Sequence, residues 1–171
     1  MATLDEARQV AAIVRDAGGR IVGRTRLQKI GFVLEAAGLG DGFPFKYKHY
    51  GPYSDELTAA SRTAAVVGLI DETEHAASWG GSYSTFATDL PPDPEAAQAR
   101  LRLAQEMVGA DAVELELAAT ALFLARSGTA DAWAETSRRK PEKAAAGRLD
   151  GAKELYGRLR LIEAPNPLPQ I

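Results

Sequence analysis

From residue 4 to 17 the apolar positions recur at three-and-four spacing: Leu4, Ala7, Ala11 and Val14, widened by Val10 and Ile13. That pattern predicts an amphipathic helix, which Gly18-Gly19 ends. A second helix is expected to open at Thr25, because Thr25 and Gln28 have the spacing of a T-x-x-Q capping box. Leu27, Ile30 and Leu34 give it an apolar face, and Gly38 and Gly40 stop it. The period then changes. Phe43, Phe45, Tyr47 and His49 fall on one parity, Pro44, Lys46, Lys48 and Tyr50 on the other. Strict alternation predicts a half-buried strand, aromatic on one face and basic on the other, broken at Gly51-Pro52. Ser54 is an expected N-cap, with Asp55 and Glu56 in the first turn of a third helix that ends near Gly68. Leu69 to Glu74 and Tyr83 to Ala87 predict a hairpin around Gly80-Gly81.

Pro91-Pro92 and Pro94 mark a break, beyond which the pattern is helical. Asp93 is expected to cap a helix running to about Val108, with Pro94 at its first position. Asp111 and Glu114 suit a second capping box, for an apolar helix through Ala125. A short helix containing Trp133 follows from about Thr129. Pro141 can open a last helix carrying Leu149, Ala152, Tyr156 and Leu159 on one face. The tail is rich in proline, and it holds a fixed place only if it docks on its own protein or a neighbour.

This order predicts a mainly α, α+β fold. Residues 1–90 would form a winged helix-turn-helix-like region with the hairpin as its wing. Residues 91–163 would form a helical subdomain packed on it, and 164–171 a proline-rich tail.

Composition narrows the chemistry. The chain has 171 residues, of which 46% are hydrophobic, and 32 alanines favour closely packed helices. It has no cysteine, which excludes disulfides, thiol catalysis and zinc-thiolate sites, and two histidines leave most metal or triad schemes without parts. No cofactor or metal is expected. The longest apolar run, Val113 to Ala125, is interrupted by Glu114 and Glu116 and is too short to cross a bilayer. Met1 to Gln9 includes Asp5 and Glu6 and does not read as a signal peptide, so a cytoplasmic protein without membrane contact is expected.

The run Arg26-Leu27-Gln28-Lys29-Ile30, then Phe45-Lys46-Tyr47 and Tyr50-Gly51-Pro52-Tyr53-Ser54 with Leu57, resembles the YwgA-like family of poorly characterised prokaryotic proteins. Arg139-Lys140-Pro141 before a terminal helix is similar to the end of those chains. More distantly, the chain resembles the Panacea (SocA-like) antitoxin domain, which usually carries Trp-x-x-Gly-Pro where this chain has Tyr-Gly-Pro-Tyr-Ser. The resemblance implies a winged-helix-like fold with a regulatory or adaptor role, and carries no active site over.

The net charge of −3 conceals patches of both signs. Arg20, Arg24, Arg26, Lys29, Lys46 and Lys48 give +4 over residues 20–48. Arg24, Arg26, Lys29, Lys46 and Lys48 could meet phosphates, or could form a solvated face with ordinary ion pairs. A duplex-reading winged helix needs cations on its third helix and wing. Here Arg62 is the third helix's lone cation, and residues 51–90 total −5. Carboxylates aimed at phosphates repel them, so a protein partner or a homodimer is the expected ligand of that face, through Asp55, Glu56, Arg62 and Trp79. DNA binding by the basic surface, as a transcriptional regulator or antitoxin-like protein, is the alternative. Residues 138–160 total +5 and could grip an acidic face or line an amphipathic helix. The aromatic set Phe43, Phe45, Tyr47, Tyr50 and Tyr53 could stack bases or build core. His49 lacks a nucleophile at a fixed spacing, and His75 with Glu72 and Glu74 is a weak metal set. The sequence therefore points to a binding module rather than an enzyme.

Overall fold

The computed structural model describes residues 2–171. Thr3 caps α1 (Leu4–Asp16) through a complete capping box with Glu6. A short strand, β1 (Arg20–Val22), leads into α2 (Arg24–Ala36). Two three-residue strands, β2 (Lys46–Lys48) and β3 (Gly51–Tyr53), pair antiparallel before α3 (Asp55–Val66). The hairpin is β4 (Asp71–Ala76) and β5 (Ser82–Ala87). Five helices follow: α4 (Gln98–Val108), α5 (Ala112–Arg126), α6 (Ala132–Arg139), α7 (Pro141–Ala144) and α8 (Arg148–Arg160). The fold is thus α+β and mainly helical.

β1 joins the hairpin as a third antiparallel strand, in the order β1-β5-β4, with Ile21 opposite Phe86 and both buried. Three residues between glycines are too few to show a strand period, which is why the pattern does not reveal β1. α3 lies against α1, and α5 touches α2, β3, α6, α7 and α8. α5 is apolar nearly all round and buries Leu115, Leu117, Leu122 and Leu124, as a central helix must. On α2, a Cβ on Gly31 would stand 3.1 Å from Leu57 Cδ2 and 3.4 Å from Phe45 Cζ, so glycine leaves room for these two side chains. One continuous apolar cluster runs from Ala7 to Leu168 across the proline break.

Four local expectations require correction. Thr25 caps nothing: α2 starts at Arg24 behind Gly23, and Gln28 turns inward to the Ser54 backbone, where buried polar groups need partners. The strand expected over 43–50 has ladder partners only at 46–48, and Gly51-Pro52 belongs to the second strand rather than a break. Asp93 does not cap a helix. Its carboxylate accepts from Glu95 N in a turn, and α4 begins five residues after Asp93, at Gln98. The helix from Pro141 divides into α7 and α8, because Ala146 and Gly147 take positive φ (57° and 78°). Ser54 and Asp111 do cap α3 and α5, accepting from Leu57 N and from Val113 N and Glu114 N.

A buried ionic network ties the halves together. Asp16 accepts from Arg15 (2.9 Å) and Arg100 (2.7 Å), and Arg100 also donates to Leu39 O and reaches Asp41. The tail docks on its own chain. Asn166 bonds Ala36 O and Ala37 O, Tyr156 donates to Pro169 O, and Trp133 Nε1 donates to Ile171 O. Among the described residues no helix is long and apolar enough to cross a membrane.

Candidate functional site

The Tyr-Gly-Pro-Tyr-Ser corner organises the centre of the molecule. Gln28 Oε1 accepts from Ser54 N (2.8 Å), while its Nε2 donates to Ser54 O (3.0 Å) and Thr58 Oγ1 (2.9 Å). Thr58 in turn donates to the Tyr53 hydroxyl at 2.6 Å. Gly51 sits at φ 88°, and a Cβ there would meet Thr120 Oγ1 at 2.6 Å. The corner is thereby pinned between α2, α3 and α5. Phe43 is buried, and Phe45 and Tyr47 are half-buried against Phe32 and Phe123, so these rings serve the core.

Of the five cations assigned to phosphate contact, two are internal. Arg26 wraps back to donate to Val22 O, Val108 O and Ala110 O, and burial lowers its pKa. Lys29 is 1% exposed and donates to Pro52 O at 2.9 Å. Burial lowers its pKa to about 8, against the pull of Glu116 and together with the repulsion of Lys140 and Lys143. The other three lie at the surface and hold carboxylates. Arg24 meets Glu72 (3.0 Å), and Lys46 (2.8 Å) and Lys48 (2.7 Å) share Asp55. Their hydrogen bonds hold Asp55 below its usual pKa and raise that of Lys46.

The acidic face divides as well. Asp55 is neutralised by the strand beside it, whereas Glu56 and Arg62 are exposed, and neither forms an ion pair among the described residues. Trp79 is 75% exposed at the hairpin turn. Its indole folds over Gly81 and stacks toward Tyr83 at 6.4 Å, and Tyr83 stacks on His75, its cross-strand neighbour, at 5.0 Å. His75 Nε2 is in turn 3.0 Å from Thr85 Oγ1. No hydrogen bond, ion pair or ring contact joins Trp79 to Asp55, Glu56 or Arg62 among the described residues. Glu72 is committed to Arg24 and Ser84, and no described cluster of three or more His, Asp or Glu side chains could hold a metal ion.

The two basic stretches, separate in sequence, meet in space. Residues 47–50 of the β2–β3 hairpin and 139–143 of the α6–α7 corner face each other across an open groove of about 720 Å³. Behind it Glu116, 3% exposed, takes Lys140 (3.2 Å) and Lys143 (2.7 Å). Glu135 takes Arg138 (2.6 Å) and Arg139 (2.7 Å), which hold its pKa down at about 2. Sequence reading places these residues on a polar helix face and has no means of pairing them with Lys48. The one signal it holds is Glu116, one of two carboxylates that interrupt a largely apolar helix. No family model, curated protein or solved structure matches the chain.

Proposed function

We propose that residues 1–90 form a winged-helix-like module that binds another protein, or a second copy of this chain, and carries out no catalysis. The element order up to the hairpin and the β1-β5-β4 sheet support the fold reading. The observation that carries the functional reading is the wing tip. It presents an exposed Trp79, its indole lying against Gly81 and Tyr83, on a hairpin that has carboxylates and no lysine or arginine. A large exposed indole buries much apolar area on contact, and tryptophan is among the residue types enriched at the energetic centres of protein interfaces. Duplex recognition is disfavoured on the same surface: Arg26 and Lys29 face inward, and Arg24, Lys46 and Lys48 already hold carboxylates. The resemblance to the YwgA-like family implies the same regulatory or adaptor role.

Co-purification from native extract tests the reading, comparing the natural chain with Trp79→Ser, together with sedimentation to register self-association. A defined partner or dimer that is lost with Trp79→Ser is expected. Recovery of the same species by both proteins would remove Trp79 from the interface.

A further inference from the structure

The cations around the β2–β3 and α6–α7 groove come in pairs, each pair sharing a single carboxylate. Lys46 and Lys48 share Asp55, Arg138 and Arg139 share Glu135, and Lys140 and Lys143 share Glu116. Each pair therefore keeps one positive charge in excess. Lys29, under the same corner, adds another, and Glu142 in the groove wall offsets one. With Glu56, whose charge also acts on Lys46, seven cations face five carboxylates, a surplus of two.

At least one cation of every pair reaches the groove: Lys48, Arg139, Lys140 and Lys143 all line it. Walls that carry one sign of charge focus the field into the space between them. The aromatic rings stand among these cations. Lys143 Nζ lies 4.7 Å from the ring centre of Tyr50, which is 55% exposed, and Arg139 lies 4.9 Å from that of Tyr47. The polar network behind the groove is also incomplete. Among the described residues Lys29 has one hydrogen-bond acceptor, Pro52 O, and Thr120 Oγ1, fully buried beneath Gly51, has no partner.

Four cations, Lys48, Arg139, Lys140 and Lys143, against Glu142 leave the groove walls net positive. Guanidinium and ammonium groups converging beside an exposed ring suit a phosphate held by hydrogen bonds, with a flat ring stacked against Tyr50. The volume lies within the range of small-ligand pockets. The geometry points to a binding site for a phosphate-bearing small molecule of about mononucleotide size, held by Arg139, Lys140 and Lys143 with Tyr50 as the ring platform. This site is separate from the wing tip, and its failure would leave the protein-binding reading standing.

Calorimetric titration of the full chain at low ionic strength with inorganic pyrophosphate, AMP and adenosine tests the site. Saturable binding of pyrophosphate or AMP, and none of adenosine, is expected. Loss of one charge-assisted contact in Lys143→Gln or Arg139→Gln should weaken it about tenfold or more. AMP binding tighter than pyrophosphate, and weakened by Tyr50→Ala, identifies a nucleotide as the source of the phosphate. Pyrophosphate binding tighter identifies a free inorganic anion and overturns the role of Tyr50 as a ring platform. The proposal is overturned if neither phosphate saturates, if adenosine binds as well as AMP, or if variants with unchanged thermal unfolding bind like the natural chain.

Discussion

Replacing Lys29 with methionine probes the least comfortable charge in the interior. Lys29 packs against the third strand through Pro52 O and faces Glu116 on α5, Lys140 at the α6–α7 junction and Lys143 on α7. Its pKa falls from 10.5 to about 8, and that difference corresponds to about 3 kcal/mol against the charged form. Methionine keeps the unbranched stem and removes the charge, but leaves Pro52 O without its partner, at a cost of about 1–3 kcal/mol. The opposing terms nearly cancel, so Lys29→Met should stay within about 2 kcal/mol of the natural protein at neutral pH.

The pH profile is the sharper readout. Between the folded pKa near 8 and the unfolded 10.5, the unfolded chain holds a proton that the native state has released. Stability contributed by this group therefore rises with pH, by about 2 kcal/mol between about pH 7.5 and about pH 9.5. Tyr156 acts in the opposite sense. Burial raises its pKa to about 12, so it withdraws stability mainly above about pH 10. Urea unfolding followed across this range should show the rise in the natural chain and its absence in Lys29→Met. A flat profile in the natural chain, or the same rise in the variant, would refute the buried-lysine account.

Three further substitutions test the framework. Gly51→Ala forces a side chain into a positive-φ position against Thr120 Oγ1 and should cost about 2–4 kcal/mol in urea unfolding, part of which Gly51→Ala/Thr120→Ala recovers. Arg100→Met leaves Asp16 buried with Arg15 as its one remaining partner and should cost about 3–5 kcal/mol, whereas Arg100→Met/Asp16→Leu should cost much less. Trp79→Ser, at an exposed tip, should change thermal stability by no more than about 0.5 kcal/mol, so any loss of a partner reports on contact rather than on folding.

Local periodicity made much of this fold legible. The apolar stripe of the first helix, the Ser54 cap and the hairpin around Gly80-Gly81 each depend on residues within a few positions of one another. What escaped depends on distant partners. β1 exists because β5 lies beside it, and Gln28 leaves its expected cap because Ser54, 26 residues on, offers it a buried donor and acceptor. The candidate sites divide along the same line. The turn that carries Trp79 was legible and its exposure is a structural finding, whereas Arg26 and Lys29 look like surface cations in any local window. Their burial is set by Val108, Ala110 and Pro52, and no periodicity of α2 encodes it. The groove is the extreme case, since its two walls lie about ninety residues apart in sequence.

The central claim is that this chain binds protein rather than duplex DNA, and its most direct test is a titration of a random duplex at low and at moderate salt. The account predicts no saturable binding at either, because Arg24, Lys46 and Lys48 already hold carboxylates and the β4–β5 hairpin carries no lysine or arginine. Binding that falls steeply with salt and disappears in Arg24→Glu would contradict it.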